Sequence, residues 1–456
     1  MSLLQWNADL GGLADLVQKG EIRVLLQRGR LALPRLNANV GPTALGCAAL
    51  VTIGNAEGLR VEAQGTGTPD VVRHTLSGGV TGVKTPYTLR GVDADGGQWR
   101  IRDARLRSSM TFVTGGASFS LTPFFTNISS NVFPGVPLNT IEIAVPSSAE
   151  LPALRLDRRS GNQVPTDDGS GELTSEDLEI RHKVVGDMRV ISMRCLEGIR
   201  PFDQAQRLLD ALSFVNGFQV LPRFIRRIEN GKGILSIFRR KSIYDDAQAL
   251  PPFEMSSNIA RVGAWNAIEL YLRFCVPAAN GKRPMISRCV SQLQGAYRSM
   301  FLSNKALAAA VAVEGLISKF VRRDLVPIWP KSKRARWLAW LDAADIPADV
   351  ATRLKSSIGQ TKSRSTTALL RALSDRGVVG NDLVTTWSQQ RPRHAHGAHG
   401  TSEEELASFF CSVSIFNAVV LSIVGYVGDF RAYGVNGSVL ASSGGRPAGT
   451  FSTTMR

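Results

Sequence analysis

Short runs in which apolar and polar positions alternate fill the chain from about Leu31 to Pro146. Alternation with a period of two is typical of β-strands that bury one face. Gly, Asp, Asn and Pro separate the runs, as turns between strands require. We therefore expect an antiparallel β domain, with strands that include CAALVTIGN, LRVEAQG, TPYTLRGV, MTFVTGG and NTIEIAVP. The polar, turn-rich stretch 155–175 is expected to be a long loop.

The pattern up to residue 241 continues this β-rich part. VVGDMRVISMRC predicts a strand, and PFDQAQRLLDALSFVNGFQ has the apolar spacing of a helix that begins at Pro201. Two further strands are predicted to pair through Asn230 and Gly231, because an Asn-Gly pair favours a two-residue hairpin turn. We assign residues 1–245 to one β-rich N-terminal region.

Helical spacing replaces strand spacing after the adjacent prolines Pro251 and Pro252. Apolar residues recur every three or four positions between about 255 and 430, which predicts a set of packed helices. One of them is an Ala-rich helix for which Ser303 is the expected N-cap. The predicted fold class is α+β, with the β-rich region 1–245, an all-α bundle over 246–437 and a flexible tail over 438–456.

The most apolar run, LASFFCSVSIFNAVVLSIVGYV at 406–427, approaches the length that spans a bilayer. Asn417 and four serines interrupt this run, and Ser402 and Glu405 before it have the spacing of a capping box. We interpret the run as a helix buried on nearly all sides rather than as a membrane span, and we expect no membrane partner.

The composition points to a basic globular protein. The 456 residues carry 54 Lys and Arg against 38 Asp and Glu, a formal charge of +16, which favours a polyanion such as nucleic acid as partner. Five scattered cysteines without a CxxC pair argue against a disulfide framework and against a structural zinc site. The N-terminus does not resemble a signal peptide, so a reducing cytoplasm is the expected setting. No GxxxxGK[ST] phosphate loop occurs, and no cofactor is expected.

Residues 391–400, RPRHAHGAHG, hold three of the five histidines of the chain and two arginines. Histidine transfers protons near neutral pH and arginine holds phosphate oxygens, so the combination suits phosphodiester cleavage. A regular helix would turn Arg391 and His396 about 140° apart, so we expect a loop or distorted turn that leads to a helix near Thr401. Two other interpretations stay open, a solvated basic loop and a metal site made by the three histidines, whose spacing matches no zinc motif.

RPRHAHG at 391–397 resembles the R-x4-6-H signature of the HEPN superfamily (higher eukaryotes and prokaryotes nucleotide-binding), whose common form ends in His-Gly. Four other segments are similar to the Apea-like branch of that superfamily: ALAAAVAVEGLISKF, LKSSIGQTKSRSTTALLRAL, DLVTTW and VVLSIVGYVGDFRAYGVNG. The resemblance covers roughly residues 255–437. A β-rich region followed by such a domain also resembles the architecture of antiphage HEPN proteins.

The resemblance implies a helical domain that forms a homodimer and joins two motifs into a composite, metal-independent ribonuclease site. Arg391 would stabilise the charge on the scissile phosphate, and His396 would act as acid or base while the ribose 2′-hydroxyl attacks. The products would carry a cyclic phosphate and a free 5′-hydroxyl. An abortive-infection effector is implied, with tRNA as a candidate substrate, a phage-derived trigger, and the β-rich region as sensor or regulatory part.

Two features of the motif leave other assignments open. Pro392 stands where the family commonly has a polar residue, so a catalytically inactive HEPN-type RNA-binding or scaffold module is the alternative function. Arg393 and His399 satisfy the same spacing rule. We favour the first arginine–histidine pair because Gly397 directly follows its histidine and because its register to Trp387 fits better.

Supporting residues are expected elsewhere in the chain. Glu314 lies on the apolar stripe of its helix, where a carboxylate requires a cationic partner. Arg391 is a candidate for that partner, and the alternative is a Glu314 side chain at the helix edge or capping another element. Two basic clusters with interleaved aromatic residues suit single-stranded RNA, unless the aromatics are core and the charges a solvated face. The expected RNA-binding residues are Arg223, Arg226, Arg227, Lys331, Arg334 and Arg336.

Overall fold

The computed structural model shows an α+β protein, as predicted. The residues that it describes are 21–32, 44–54, 58–66, 87–92, 98–113, 116–122, 125–130, 140–229, 232–238, 250–322, 330–360, 365–395, 400–434 and 437–444. The chain divides into a first unit, Met1–Leu212 with Val220–Asp246, and a second unit, Ser213–Gln219 with Ala247–Arg456. Strands dominate the described part of the first unit and helices that of the second.

Fifteen strands form one sheet in the described part of the first unit. They are β1 (Glu21–Ala32), β2 (Ala44–Gly54), β3 (Gly58–Thr66), β4 (Tyr87–Val92), β5 (Gln98–Val113), β6 (Gly116–Thr122), β7 (Phe125–Ser130), β8 (Thr140–Pro146), β9 (Leu154–Asp157), β10 (Gln163–Pro165), β11 (Gly171–Thr174), β12 (Glu179–Val185), β13 (Met188–Arg194), β14 (Phe224–Glu229) and β15 (Lys232–Phe238). Their order is β10-β9-β11-β12-β13-β8-β14-β15-β7-β5-β4-β1-β2-β3-β6. Neighbouring strands are antiparallel, except for the parallel pair β9 and β11.

β6 closes part of this sheet into a ring. It pairs with β3 and also with β5, so that β5, β4, β1, β2, β3 and β6 form a closed antiparallel barrel. Where the side chains of these strands are described, alternate residues are buried, as for Val61 and Ala63 on either side of the exposed Glu62. The period-two pattern therefore predicted the antiparallel β domain correctly.

Two parts of the sheet differ from the prediction. Residues 155–175 are not a long loop, because the short strands β9, β10 and β11 lie there. VVGDMRVISMRC contributes to a hairpin of β12 and β13 rather than to a single strand. Strands of three or four residues between turns are too short to show alternation, and pairing with their neighbours decides their conformation.

Two elements follow the sequence closely. α1 (Pro201–Asn216) begins at the predicted proline. β14 and β15 are antiparallel, and Glu229 lies opposite Lys232. This register confirms the predicted hairpin, while residues 230 and 231 lie outside the described residues.

A buried histidine on β12 joins two strands and two loops of the first unit. His182 Nε2 donates to the carbonyl of Pro152 at 3.1 Å, and its Nδ1 accepts from Arg189 Nη1 at 2.9 Å. Arg189 also donates to the carbonyls of Ala149 and Gly169. Burial, and then the charge of Arg189, lower the pKa of His182 to about 3. The native state therefore keeps this ring neutral.

Acid is expected to destabilise the first unit through His182. The pKa of the ring is about 3 in the folded protein and near 6.5 when unfolded, so the unfolded state binds more protons between these values. Stability from this group is complete above about pH 6.5 and falls by about 1.4 kcal/mol per pH unit below it. Urea unfolding at several pH values measures this slope. His182→Gln is expected to have a flatter profile than the wild type, and equal slopes would contradict the prediction.

Eight helices and one hairpin are described in the second unit beyond residue 250. They are α2 (Asn258–Cys275), α3 (Met285–Tyr297), α4 (Leu302–Phe320), α5 (Lys331–Ala343), α6 (Ala348–Gln360), α7 (Thr366–Ser374), α8 (Asn381–Ala395), α9 (Ser402–Val424), β16 (Val427–Gly434) and β17 (Gly437–Gly444). α9 is the central helix. It packs against α2, α4, α8 and β16, and every side chain from Ser408 to Val424 is buried. This helix is long and apolar enough to cross a membrane, and its burial confirms the interpretation as a core helix.

The start of α9 differs by one residue from the prediction. Thr401 and Glu404 form the capping box: Glu404 N donates to Thr401 Oγ1 at 3.2 Å, and Thr401 N donates to Glu404 Oε2 at 2.9 Å. The predicted pair was Ser402 and Glu405. Consecutive hydroxyl residues and consecutive glutamates satisfy the spacing in both registers, so spacing alone did not decide.

Two other end points are corrected. α4 begins at Leu302, so Ser303 lies inside its first turn and is not the N-cap. The tail predicted over 438–456 includes most of β17, which pairs with β16 along its whole length. Residues 445–456 lie outside the described residues.

Candidate functional site

Arg391 lies in the last turns of α8 and not in the loop or distorted turn that the sequence predicted. α8 continues through Pro392 to Ala395, so that prediction is wrong for residues 391–395. Proline lacks an N–H group, which removes one helical hydrogen bond to the carbonyl of Ser388. His396 and His399 lie outside the described residues, as do the side chains of Arg393 and His394.

Glu314 on α4 and Arg391 on α8 form a two-point ion pair. Arg391 Nε donates to Glu314 Oε1 at 2.6 Å, and Nη2 donates to Oε2 at 3.1 Å. Two parallel bonds of this kind make the strongest and most directional arginine–carboxylate contact. The candidate partner that the sequence offered for Glu314 is therefore its partner in the structure.

Both members of the pair continue apolar stripes. Val384 and Trp387 precede Arg391 by two turns and one turn of α8, and both are buried. Ile317, one turn after Glu314, is also buried. The side chains of Arg391 and Glu314 are 34% and 28% exposed. The guanidinium group therefore stands where a packed helix face reaches the surface.

A cysteine on α9 fixes the body of α8. Cys411 Sγ donates to the carbonyl of Leu383 at 3.0 Å. Burial raises the pKa of this thiol to about 12, so it stays a neutral donor. Trp387, one turn further along α8, is buried, and within the described residues its Nε1 has no hydrogen-bond partner. No pattern in the sequence indicates this anchor, because no spacing rule links a cysteine to a distant backbone carbonyl.

The ion pair leaves part of Arg391 available for a ligand. Within the described part of the chain, its hydrogen bonds engage Nε and Nη2 and leave Nη1 for another acceptor. One oxygen of a phosphate could bind there while Glu314 holds the plane of the guanidinium group. The structure thus brings together Arg391 and Glu314, the two predicted catalytic or supporting residues whose side chains it describes.

The three arginines near β14 lie inside the first unit. Arg226 and Arg227 are on β14, Arg223 directly precedes it, and all three are buried. Their partners are Glu142 on β8 for Arg226, Ser236 for Arg227 and the carbonyl of Phe238 for Arg223. β14 lies between β8 and β15, and a buried, internally paired guanidinium group cannot contact RNA. The expected RNA-binding role of these three arginines does not hold in this structure.

The second basic cluster lies on α5. Lys331 and Arg336 are exposed, whereas Arg334 is half-buried. Trp337 is 38% exposed and Trp340 is 56% exposed. The alternative in which these two tryptophans belong to the core is therefore wrong, and the cluster remains a candidate nucleic-acid surface.

The described residues hold no metal-binding group, and the chain was also compared with known proteins. Among the described residues, no group of three or more His, Cys, Asp or Glu side chains is placed to hold a metal ion. The histidines of the metal hypothesis lie outside that set. A scan against protein-family models, a search of curated proteins and a search of solved structures found no match for this chain.

Proposed function

We propose that this protein is a metal-independent endoribonuclease of HEPN type, which acts as a cytoplasmic homodimer on RNA such as tRNA. The observation that carries the proposal is the Arg391–Glu314 pair. It holds an arginine in a fixed orientation at the surface of a helical unit, five residues before His396 in the chain. The positive charge of the protein supports a polyanionic substrate.

In the proposed reaction, the ribose 2′-hydroxyl attacks the adjacent phosphorus and displaces the 5′-oxygen of the next nucleotide. His396 takes the proton of the attacking hydroxyl or gives one to the leaving oxygen, and the second motif of the dimer makes the other transfer. Arg391 stabilises the charge that develops on the phosphate oxygens. The fragments carry a 2′,3′-cyclic phosphate and a 5′-hydroxyl, so cleavage consumes no water, and none of these steps requires a metal ion.

The biological part of the proposal rests on the resemblance to antiphage HEPN proteins. The β-rich first unit would detect a phage-derived trigger, and the helical unit would then cut RNA and stop growth of the infected cell.

The second candidate function is a HEPN-type RNA-binding or scaffold module without cleavage. The two-point contact with Glu314 neutralises Arg391, which favours a structural role for this arginine. Pro392 next to it offers no N–H group to a substrate. Binding of RNA without release of fragments would support this function.

The reaction class is tested with wild-type protein and labelled total RNA in excess EDTA. We expect fragments with cyclic phosphate and 5′-hydroxyl ends, identified by mass spectrometry, because attack by the 2′-hydroxyl requires no metal. The control reaction contains added Mg²⁺ or Zn²⁺ in place of EDTA. Cleavage only in the control, or fragments with 3′-hydroxyl ends, would support a metal-dependent hydrolase instead.

A further inference from the structure

One side of α5 combines two exposed tryptophans with two exposed cations. The ring centroids of Trp337 and Trp340 lie 5.6 Å apart, and their planes meet at 80°. Lys333 and Arg336 are exposed as well. At about 100° per residue, the four side chains fall within an arc of about 100° around the helix. We call these four residues the aromatic–basic face.

The charge around this face selects the kind of partner. Residues 331–341 contain four cations and no acidic residue. The next acidic residue, Asp342, is paired with Lys355 on α6. A second copy bound through a two-fold axis would place Lys333 and Arg336 opposite the same cations, which would repel. A polyanion with flat apolar groups matches both the charge and the rings.

We propose that the aromatic–basic face binds an unpaired segment of RNA. Trp340, the more exposed ring, stacks on one base, and the perpendicular Trp337 supports it from the side. Lys333 and Arg336 contact the flanking phosphates. A duplex hides its bases in its own stack and offers mainly phosphates and sugars. This inference rests on the proposed function in taking RNA as the substrate, and it assigns the single-stranded part of that RNA to α5.

The test measures binding apart from cleavage. The full-length His396→Ala protein keeps the probe intact, and anisotropy in EDTA follows a fluorescein-labelled 12-nucleotide RNA without self-complementarity. Trp340→Ala in this background is expected to weaken binding about tenfold, as the loss of one stacked base does. The affinity falls as salt rises, and Lys333→Ala and Arg336→Ala are each expected to make the slope of log affinity against log salt less steep by about 0.7. Trp340→Phe should retain most of the affinity.

Lys282→Ala is the matched control, since it removes one exposed charge that does not lie on α5. It should weaken binding much less than Arg336→Ala. A duplex made from the same strand should bind less tightly and should respond little to Trp340→Ala. Circular dichroism checks that each variant is folded.

Three results would overturn the inference. The first is that Trp340→Ala binds the single strand as tightly as the parent protein does. The second is that Trp340→Ala loses as much affinity for the duplex as for the single strand. The third is that Trp340→Ala changes the mass of the protein in solution, measured by light scattering, while its RNA binding stays intact. The last result would identify a protein contact. Cleavage is measured separately in the wild type: if it is absent while Trp340→Ala still loses single-strand binding, the nuclease proposal fails and the aromatic–basic face stands.

Discussion

Arg391→Ala is expected to slow RNA cleavage by about a hundred- to a thousandfold, and His396→Ala by about a hundred- to ten-thousandfold. In the proposed reaction, the first change removes the cation that would stabilise the phosphate in the transition state. The second removes the group that would transfer the proton. Initial rates with labelled RNA in EDTA, at saturating RNA, measure both effects.

Arg393→Ala and His399→Ala are matched controls, because this second pair satisfies the same sequence spacing. Their rates are expected to stay close to the wild-type rate. If these variants lost cleavage while Arg391→Ala and His396→Ala kept normal rates, Arg393 and His399 would be the catalytic pair instead. If wild type and variants all bind RNA and none cleaves it, the RNA-binding module becomes the conclusion.

Glu314→Gln examines how Arg391 is held. The amide keeps the shape of the side chain but lacks the charge that supports a two-point contact with the guanidinium group. For a positioning residue we expect kcat to fall about tenfold with little change in KM. The melting temperature should change little, because a partly exposed ion pair contributes at most about 1 kcal/mol. A large loss of stability would instead indicate a structural pair.

Arg226→Met is expected to destabilise the first unit by about 3 kcal/mol or more. Arg226 is 3% exposed, and its Nε and Nη2 both contact Oε2 of Glu142 on the neighbouring strand β8. Methionine fills much of the space but leaves the carboxylate without its cation, and breaking a buried pair costs about 3–5 kcal/mol. Urea unfolding followed by circular dichroism measures the change.

The double variant Arg226→Met with Glu142→Leu is expected to recover most of this loss, since no buried charge is left unpaired. Arg336→Ala on the surface of α5 is the control, and its stability should stay within about 0.5 kcal/mol of the wild type. Folded Arg226→Met should bind RNA like the wild type. If Arg226→Met had normal stability but bound RNA more weakly, Arg226 would be an exposed RNA-binding residue, as its sequence context predicted.

Local signals predicted the elements that depend on local chemistry. Pro201 marks the start of α1, and the Asn-Gly pair at 230 and 231 marks the hairpin of β14 and β15. Arg226 is an example of a residue whose environment local signals do not predict. Its partner Glu142 lies 84 residues away, and no local pattern reveals that β8 lies on the other side of β14 from β15. An arginine beside apolar residues was therefore assigned to the surface.

The candidate site was partly predictable for a similar reason. A carboxylate in an apolar stripe requires a cation, and this requirement pointed from Glu314 to Arg391. Proline predicted a break that the helix does not make, because proline removes one helical hydrogen bond and need not end the helix. Composition could not decide between core and surface for Trp337 and Trp340, since that depends on which helices cover α5.

Because α9 follows the other helices in the chain and is central in the fold, packing of the second unit is completed late in translation. α2, α4 and α8 leave the ribosome before α9, against which they pack. Their apolar faces therefore have no final partner until α9 has emerged. α8 also lacks Cys411, which binds the carbonyl of Leu383, until then. The Arg391–Glu314 pair joins two helices that both pack against α9, so it reaches its final surroundings only after α9 has emerged.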